Sequence, residues 1–475
     1  MAGTITTDLC ILGAGSGGLS VAAGAVQMGA TVTLIEGGKM GGDCLNYGCV
    51  PSKALIAAGK KAHAHRHSGP FGVAEHEPEI DYAAAMGHVQ HAIDAIAPHD
   101  SVERFEGLGV RVIQAWGKFV GPTEVEAGEH RVKARRVIIS TGSSPFVPPI
   151  PGLSDTPHLT NETLWENRIR PDKLLVIGGG PIGLEMAQAH RRLGSEVVVL
   201  EAARALAKDD PEVAEVALAR LRGEGIEIRE GTKVVEVGGQ TGTITATLEG
   251  GEQVAGTHLL VAVGRKANVD GLDLEKASIA YTAKGVTVDK GLRSTTNRKV
   301  YAIGDVAGGL QFTHVAGWHA GLVVRNALFR LPVSAANTKH VPWATYTDPE
   351  IAHVGLTEVQ ARQQFGDKIE VHRFKFADND RGQAERETDG LIKMVACSRG
   401  QIHGVSIVGP SAGDLIGLWA LAISKRLKVA AVAGFVAPYP TYGEVSKRVA
   451  GAYFAPRLFQ SSLVKKVIRF LARLG

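Results

Sequence analysis

A chain of 475 residues with 59 glycines and 44% hydrophobic content is long enough for several domains, each with its own core, and three are expected. The formal net charge of +4 is small for that length and no basic run is interleaved with aromatics, which argues against nucleic acid as a partner. Four cysteines in so long a chain exclude a disulfide framework, and no stretch reaches the roughly 18 apolar residues of a membrane span.

The opening residues, MAGTITTDLCILGAGSGG, show no basic region followed by an apolar run and a cleavage site, so a cytoplasmic protein is expected. Asp8 to Leu12 predicts a strand, GAGSGG supplies Gly13, Gly15 and Gly18 at a tight turn opening a helix, and TVTLIE predicts a second strand ending at Glu36. In that context the glycines let the backbone approach a pyrophosphate. The helix start offers free N–H groups, and Glu36 can accept from a ribose diol.

Next comes GGDCLNYGCVPSKAL, with four residues between Cys44 and Cys49, just before a predicted helix. Zinc generally needs four ligands, and no second cysteine pair exists; the nearby His63, His65 and His67 do not share one helix face. A redox pair is favoured over a metal site or a staple, because Pro51 suits the first turn of a helix whose N-terminus would stabilise a thiolate at Cys49. Lys53, one turn on, adds positive charge. The histidines from His63 to His99 read as a solvated helix face.

Further along, KLLVIGGGPIGLEMAQAHRRLGSEVVVLE repeats the first unit: strand, then Gly178, Gly180 and Gly183, helix, and a strand ending at Glu201. One chain therefore carries two dinucleotide sites. A carboxylate at Glu201 suits the 2′-OH of NAD and repels the 2′-phosphate of NADP, with Arg204 nearby as the contrary feature, so NAD is expected over NADP. Boundary signals lie at SSPFVPPIPG (Ser143 to Gly152), at VAVGRKANVDGL and at Arg330 to Pro342. VYAIGDVAGG ends an apolar run in Gly304 and Asp305, an acid at a strand end. Beyond residue 340, GLIKMVACS and QIHGVSIVG alternate as an antiparallel sheet would, which predicts an α+β third domain. In the tail, Leu463, Val464, Val467, Ile468, Leu471 and Leu474 share one helical face, and Lys465, Lys466, Arg469 and Arg473 the other. That basic amphipathic helix over 456–475 either packs on a dimer or makes weak, salt-sensitive contact with an anionic membrane or an acidic partner.

Taken in order, GAGSGG, GGDCLNYGCVPSKAL, VIISTGSSP, GGGPIGLEMA, VAVGRKAN, VYAIGDVAGG and YTDPEIAHVGLTE resemble the flavin-dependent pyridine nucleotide-disulfide oxidoreductases, from about Asp8 to Tyr453. The family includes dihydrolipoamide dehydrogenase, glutathione reductase and mercuric reductase. The resemblance implies an α/β fold: an FAD domain (1–150), an NAD domain (151–272), a return to the central region (273–339) and an α+β dimerisation domain (340–455). It implies that FAD is held by Gly13, Gly15, Ser16, Gly18, Glu36, Lys39, Gly42, Asp43, Lys53, Gly117, Thr141, Gly142, Gly304 and Asp305. Gly178, Gly180, Ile182, Gly183, Glu201 and Gly264 are implied for the nicotinamide cofactor. Cys49 would face the flavin as a thiolate, Cys44 would attack substrate, and Lys53 would pair with Glu185. A homodimer is implied, with the third domain completing the partner's active site.

Three departures stand out. Tyr439 occupies the place of the catalytic His of the His–Glu pair, although Glu444 is kept; Asp43 replaces the usual Thr before Cys44; and Tyr47 replaces a small apolar residue. A phenol with a pKa of about 10 is no ready base near neutral pH, so fast dihydrolipoamide oxidation is not expected. Mercuric reductases resemble this chain in having Tyr there, yet no cysteine follows Cys397 to match their C-terminal pair. The expected function is electron transfer from NAD(P)H through FAD and Cys44/Cys49 to a disulfide or soft electrophile, with no metal in the site. The alternatives are a divergent dihydrolipoamide dehydrogenase or the flavoprotein component of a larger complex.

Overall fold

The computed structural model describes residues 3–329 and 335–474; residues 330–334 of the expected Arg330–Pro342 boundary lie outside them. Two compact units emerge: Met1–Gly179 with Met186–Ala202 and Thr232–Asn337, and Gly180–Glu185 with Ala203–Gly231 and Thr338–Gly475.

The first unit is built on a seven-stranded sheet. Its strands are β1 (Thr4–Leu12), β2 (Val32–Glu36), β3 (Arg111–Gln114), β4 (Gly117–Gly121), β5 (Glu124–Ala127) and β6 (His130–Ile139), in the order β3-β2-β1-β6-β5-β4, with Val300–Ala302 also pairing β6. β1 lies parallel to β2 and β6, whereas β4, β5 and β6 form an antiparallel meander. Leu9 to Leu12 are at most 2% exposed, the continuous apolar signature of a parallel strand covered on both faces. Helices α1 (Ser16–Gln27), α2 (Gly42–Asn46), α3 (Cys49–Arg66), α4 (Tyr82–Ile96) and α5 (Val102–Gly107) follow the first strands. A short strand β7 (Ser143–Pro145) pairs with Arg265–Ala267.

The same unit holds β8 (Lys173–Ile177) and β9 (Glu196–Leu200), parallel to each other, with His258–Val261 parallel to β8 on its other side. Helix α6 (Pro181–Arg192) connects β8 to β9 as α1 connects β1 to β2. Within the unit, buried His190 reaches Tyr82 Oη at 3.1 Å, and its burial pulls its pKa down to about 4, so it stays neutral.

In the second unit, helix α7 (Pro211–Gly223) accompanies a five-stranded antiparallel sheet. Its strand order is Pro342–Thr345, Glu350–Gly355, Ile402–Gly409, Leu391–Cys397 and Ile369–Lys375. Helices α8 (Thr313–Leu328, in the first unit), α9 (Glu358–Phe365), α10 (Asp380–Glu385), α11 (Ala412–Ser424), α12 (Val429–Gly434), α13 (Glu444–Phe459) and α14 (Ser462–Leu471) complete the chain. Trp419 of α11 is fully buried against Val445 and Val449 of α13, its Nε1 donating to Ser446 Oγ at 3.0 Å. The alternation in Leu391–Cys397 does not mark a solvent face. Lys393 is buried because Asp210, Glu212 and Glu358 surround its ammonium at 2.8–3.0 Å.

Candidate active site

Two glycine turns share one construction. At the first, Gly13 has φ +102° and a Cβ there would lie 2.4 Å from Ser140 O; at the second, Gly178 has φ +113° and a Cβ would lie 2.5 Å from Ala262 O. Only glycine fits either place. In each turn the acid that ends the following strand is drawn back to the turn itself. Ala14 N donates to Glu36 Oε2 and Gly179 N to Glu201 Oε2, both at 2.6 Å.

Helix α1 starts at Ser16 after an N-cap glycine, Gly15, with no capping side chain and no acid in its first turn, so its amides suit an anion. A Cβ on Gly18 would stand 1.9 Å from Gly13 O, which is why the helix can lie so near the turn. In the second turn Gly180 faces open space, Ile182 is exposed and Gly183 is buried. Beside the first turn lies a residue the motifs did not reveal. Trp116, 80% exposed just past β3, spreads its ring over Gly37, where a Cβ would come within 2.2 Å of it.

The cysteine segment is laid directly against the first turn. Gly41 N donates to Ala14 O at 3.0 Å, and a Cβ on Gly42 (φ +60°) would lie 2.6 Å from Gly15 Cα. Cys44 sits in α2 and Cys49 is the first residue of α3. Both are free thiols, Cys49 the more exposed, and the two are hydrogen-bonded to each other. Thr313, first residue of α8, contacts Cys49 Sγ through its hydroxyl at 3.3 Å.

These neighbours split the pair. The Cys49 thiol is pulled down to about 6, first by the hydrogen bond from Cys44, then by Thr313 and the Lys53 ammonium, against the effect of burial. Cys44 is pushed well above the ordinary thiol range, first by its bond to Cys49 and then by burial; the charge of Asp43 acts in the same direction as the smallest cause. The low-pKa sulfur at a helix start, Cys49, is the charge-bearing member of the pair.

Asp43 is also tied sideways. Its Oδ1 meets Arg265 at 2.9 Å and Asn161 Nδ2 at 3.1 Å, and Arg265 donates on to Ser143, whose hydroxyl donates to Asp305 Oδ2 at 2.5 Å. Arg265 thus links the cysteine segment to the acid at the Val300–Ala302 strand end. Nothing in its local motif predicted that link. Lys39 lies over the Tyr47 ring at 5.3 Å, and Thr141 Oγ1 donates to Asn268 O beside Gly142 (φ +69°). Gly304 (φ +66°) donates its amide to the buried His319, and Gly264 (φ +143°) faces open space. Gly117 has a packing reason of its own, since a Cβ would meet the Leu12 side chain at 2.7 Å.

In the second unit, Glu185 is buried and accepts from Tyr346 N at 2.8 Å. Tyr439 is 69% exposed and donates to Asp380 Oδ2 at 2.8 Å rather than to Glu444, the first residue of α13. That bond raises its pKa further above the usual phenol value. Among the described residues no group of three or more His, Cys, Asp or Glu is placed to hold a metal ion.

The family described as "Pyridine nucleotide-disulphide oxidoreductase" matches residues 7–320, and its dimerisation domain matches residues 341–450. The chain belongs to this family. The mercuric reductase of Lysinibacillus sphaericus is 34% identical over 448 residues, 93% of this chain and 82% of that protein. The dihydrolipoyl dehydrogenase of Bacillus subtilis is 31% identical over 447 residues, 92% and 96% of the two chains. Among solved structures, the HOCl-induced flavoprotein disulfide reductase RclA of Escherichia coli, as its Cu(II) complex, superimposes with a TM-score of 0.85. It is 26% identical, covering 94% of this chain and 99% of that one. The oxidoreductase therefore has two dinucleotide-binding domains and a C-terminal dimerisation domain, forms a homodimer, and uses FAD and NAD(P)H.

The residues present fit those groups. Two turns that no side chain can enter, an uncapped helix start and an acid recruited to each turn are the features a pyrophosphate and a ribose require. Among the described residues no helix is long and apolar enough to cross a membrane.

Proposed function

We propose that this oxidoreductase passes electrons from NADH to a disulfide or a soft electrophile such as Hg(II), with Cys44 as the thiol that meets the acceptor and Cys49 as the thiol that releases the product from it. The observation that carries this reading is the opposed proton affinity of two hydrogen-bonded thiols at a helix start. FAD, when bound, supplies two-electron exchange between the nicotinamide and this dithiol. Gly13, Gly15, Ser16, Gly18, Glu36, Lys39, Gly42, Asp43, Lys53, Gly117, Thr141, Gly142, Gly304 and Asp305 would hold it, and Gly178, Gly180, Ile182, Gly183, Glu201 and Gly264 the nicotinamide cofactor.

With a disulfide acceptor, Cys44 passes its proton to the hydrogen-bonded Cys49 thiolate as its sulfur attacks one sulfur of the acceptor, forming a mixed disulfide and expelling the other sulfur as a thiolate that takes a solvent proton. Cys49 then attacks Cys44, releasing the second thiol and closing the Cys44–Cys49 bond. The acceptor gains two electrons from the dithiol and two protons, one from solvent and one from the pair, passed by Cys49 to the departing sulfur. Asp43, held by Arg265 and Asn161, sets an acidic side chain beside Cys44 and favours a cationic acceptor there. Lys53 steadies the Cys49 thiolate, and its pairing with Glu185 belongs to the same proposal.

NADH is favoured over NADPH by the Glu201 carboxylate at the second turn. The domain edges 1–150, 151–272, 273–339 and 340–455 are proposed with it. A cytoplasmic location is favoured by the isolated thiols Cys10 and Cys397.

A divergent dihydrolipoamide dehydrogenase is the second reading, favoured by the NAD-type acid Glu201. It is weakened by Tyr439, which keeps its proton and is engaged with Asp380. Anaerobic reduction with NADH followed by lipoamide, glutathione disulfide, Hg(II) and quinones separates the two. Hg(II) or glutathione disulfide should be turned over and Cys44→Ser should abolish that turnover, whereas preferential turnover of lipoamide over both would reject the first reading. Tyr439→His should raise disulfide or dithiol activity about tenfold or more at neutral pH, the usual scale of a general base. No gain, with flavin spectrum and dimer unchanged, would mean Tyr439 does not act at the dithiol.

A further inference from the structure

The last helix of the chain has no core to serve. In α14 and the turn after it, Leu463, Phe470 and Leu474 are 70%, 62% and 69% exposed, and Val467, Ile468 and Leu471 are exposed as well; no residue of the helix is buried. The helix is nevertheless well formed, since Ser461 caps it by accepting from Val464 N. Large side chains exposed together on one helical face mark an interaction surface rather than scattered apolar residues.

Charge selects the occupant. At about 100° per residue the apolar side chains span an arc of roughly 160°, and Lys465, Lys466, Arg469 and Arg473 fill the opposite arc of roughly 100°. Among the described residues none of these four is paired with a carboxylate, and no acidic residue follows Glu444 anywhere in the chain. A second copy of the helix would cover the apolar arc but leave the cationic arc unmatched. The family's dimerisation domain ends at residue 450, twelve residues before the helix begins. What accepts an apolar arc and an unpaired cationic arc side by side is the interface of an anionic bilayer, with the apolar face at the acyl boundary and the cations among phosphate headgroups.

We infer that α14 lies in the plane of an anionic membrane surface and holds the oxidoreductase there reversibly. The attachment is weak, because the helix is short and each cation near such a surface strengthens association only about fivefold. It is also salt-sensitive, because the screening length falls from about 10 Å at 0.1 M salt to about 3 Å at 1 M. This inference is independent of the acceptor chemistry: it concerns where the enzyme sits, not what the thiols reduce.

The test uses the full-length FAD-loaded dimer and vesicles of phosphatidylcholine, alone or with phosphatidylglycerol. The protein should sediment with the anionic vesicles at low salt, lose at least about tenfold in binding at high salt, and ignore the neutral vesicles. Two variants examine the two faces separately: Leu463→Ser/Val467→Ser keeps the charges, and Lys466→Gln/Arg469→Gln keeps the apolar face. Each should weaken vesicle binding by about tenfold or more while NADH oxidation and dimer size stay unchanged. The inference is overturned by failure to bind anionic vesicles, which would leave an acidic protein as the partner. Dissociation of the dimer in the Leu463→Ser/Val467→Ser variant would overturn it too, since the face would then pack between subunits.

Discussion

Cys44 and Cys49 are the same side chain given opposite proton affinities by their neighbours, and most of that difference was not visible in the spacing of the motif. The helix start at Cys49 and the nearby Lys53 were legible, because both are local. Thr313 was not: it lies 264 positions away and its only signal is a hydroxyl at the start of a helix. Its contribution is measurable. In the reduced enzyme, the rate at which iodoacetamide labels Cys49 should rise with pH around a midpoint near 6, because the thiolate alone reacts. Thr313→Val removes a hydroxyl that favours the thiolate, so the midpoint should move up and labelling at pH 6 should fall severalfold, read by peptide mass spectrometry. An unmoved midpoint would mean that the hydroxyl does not donate to Cys49.

At the scale of elements, sequence patterning identified an antiparallel sheet beyond residue 340 but did not show where its polar positions lie. Lys393 stands where alternation suggests a wet face, yet it is buried among Asp210, Glu212 and Glu358, with Arg373 completing the cluster. No local pattern announces this, since Asp210 and Lys393 are 183 positions apart. Asp210 is almost wholly buried and has one carboxylate oxygen without a partner. Lys393→Met would therefore strand a buried charge and should cost about 3–5 kcal/mol, whereas Lys393→Met/Asp210→Asn should recover part of the loss. Chemical denaturation of the three proteins checks both.

Acid should act on the same cluster. Bonds to Arg373, and next to Lys393, pull the Glu212 carboxyl down to about 2. Its contribution is thus complete above the ordinary carboxylate range near 4.3 and is lost as pH falls from there toward 2. Because Glu212 is partly exposed, about 1 kcal/mol is the reasonable size. Glu212→Gln should remove that part of the acid sensitivity and leave stability near neutral pH lower by a similar amount.

For the whole molecule, the duplication of strand, glycine turn, helix, strand and acid was readable from both copies, because each signal lies within about thirty residues. What the copies do not show in sequence is how their surroundings differ. The first turn is closed over by the cysteine segment, with Gly42 against Gly15, whereas in the second Gly180 faces open space. The two turns should therefore fail differently when blocked in the same way. Gly13→Val places a side chain onto Ser140 O at a φ that only glycine adopts readily, and Gly178→Val does the same to Ala262 O. Gly13→Val should yield a protein that loses its flavin on purification, read from the ratio of flavin to protein absorbance. Gly178→Val should keep a full complement of flavin, and dithionite should still generate two alkylatable thiols at Cys44 and Cys49. NADH should reduce it at least about a hundredfold more slowly at sub-saturating concentration, the scale expected when a pyrophosphate can no longer approach the backbone. Loss of flavin from the Gly178→Val protein, with normal NADH reduction of the Gly13→Val protein, would reverse the assignment of the two cofactors to the two turns.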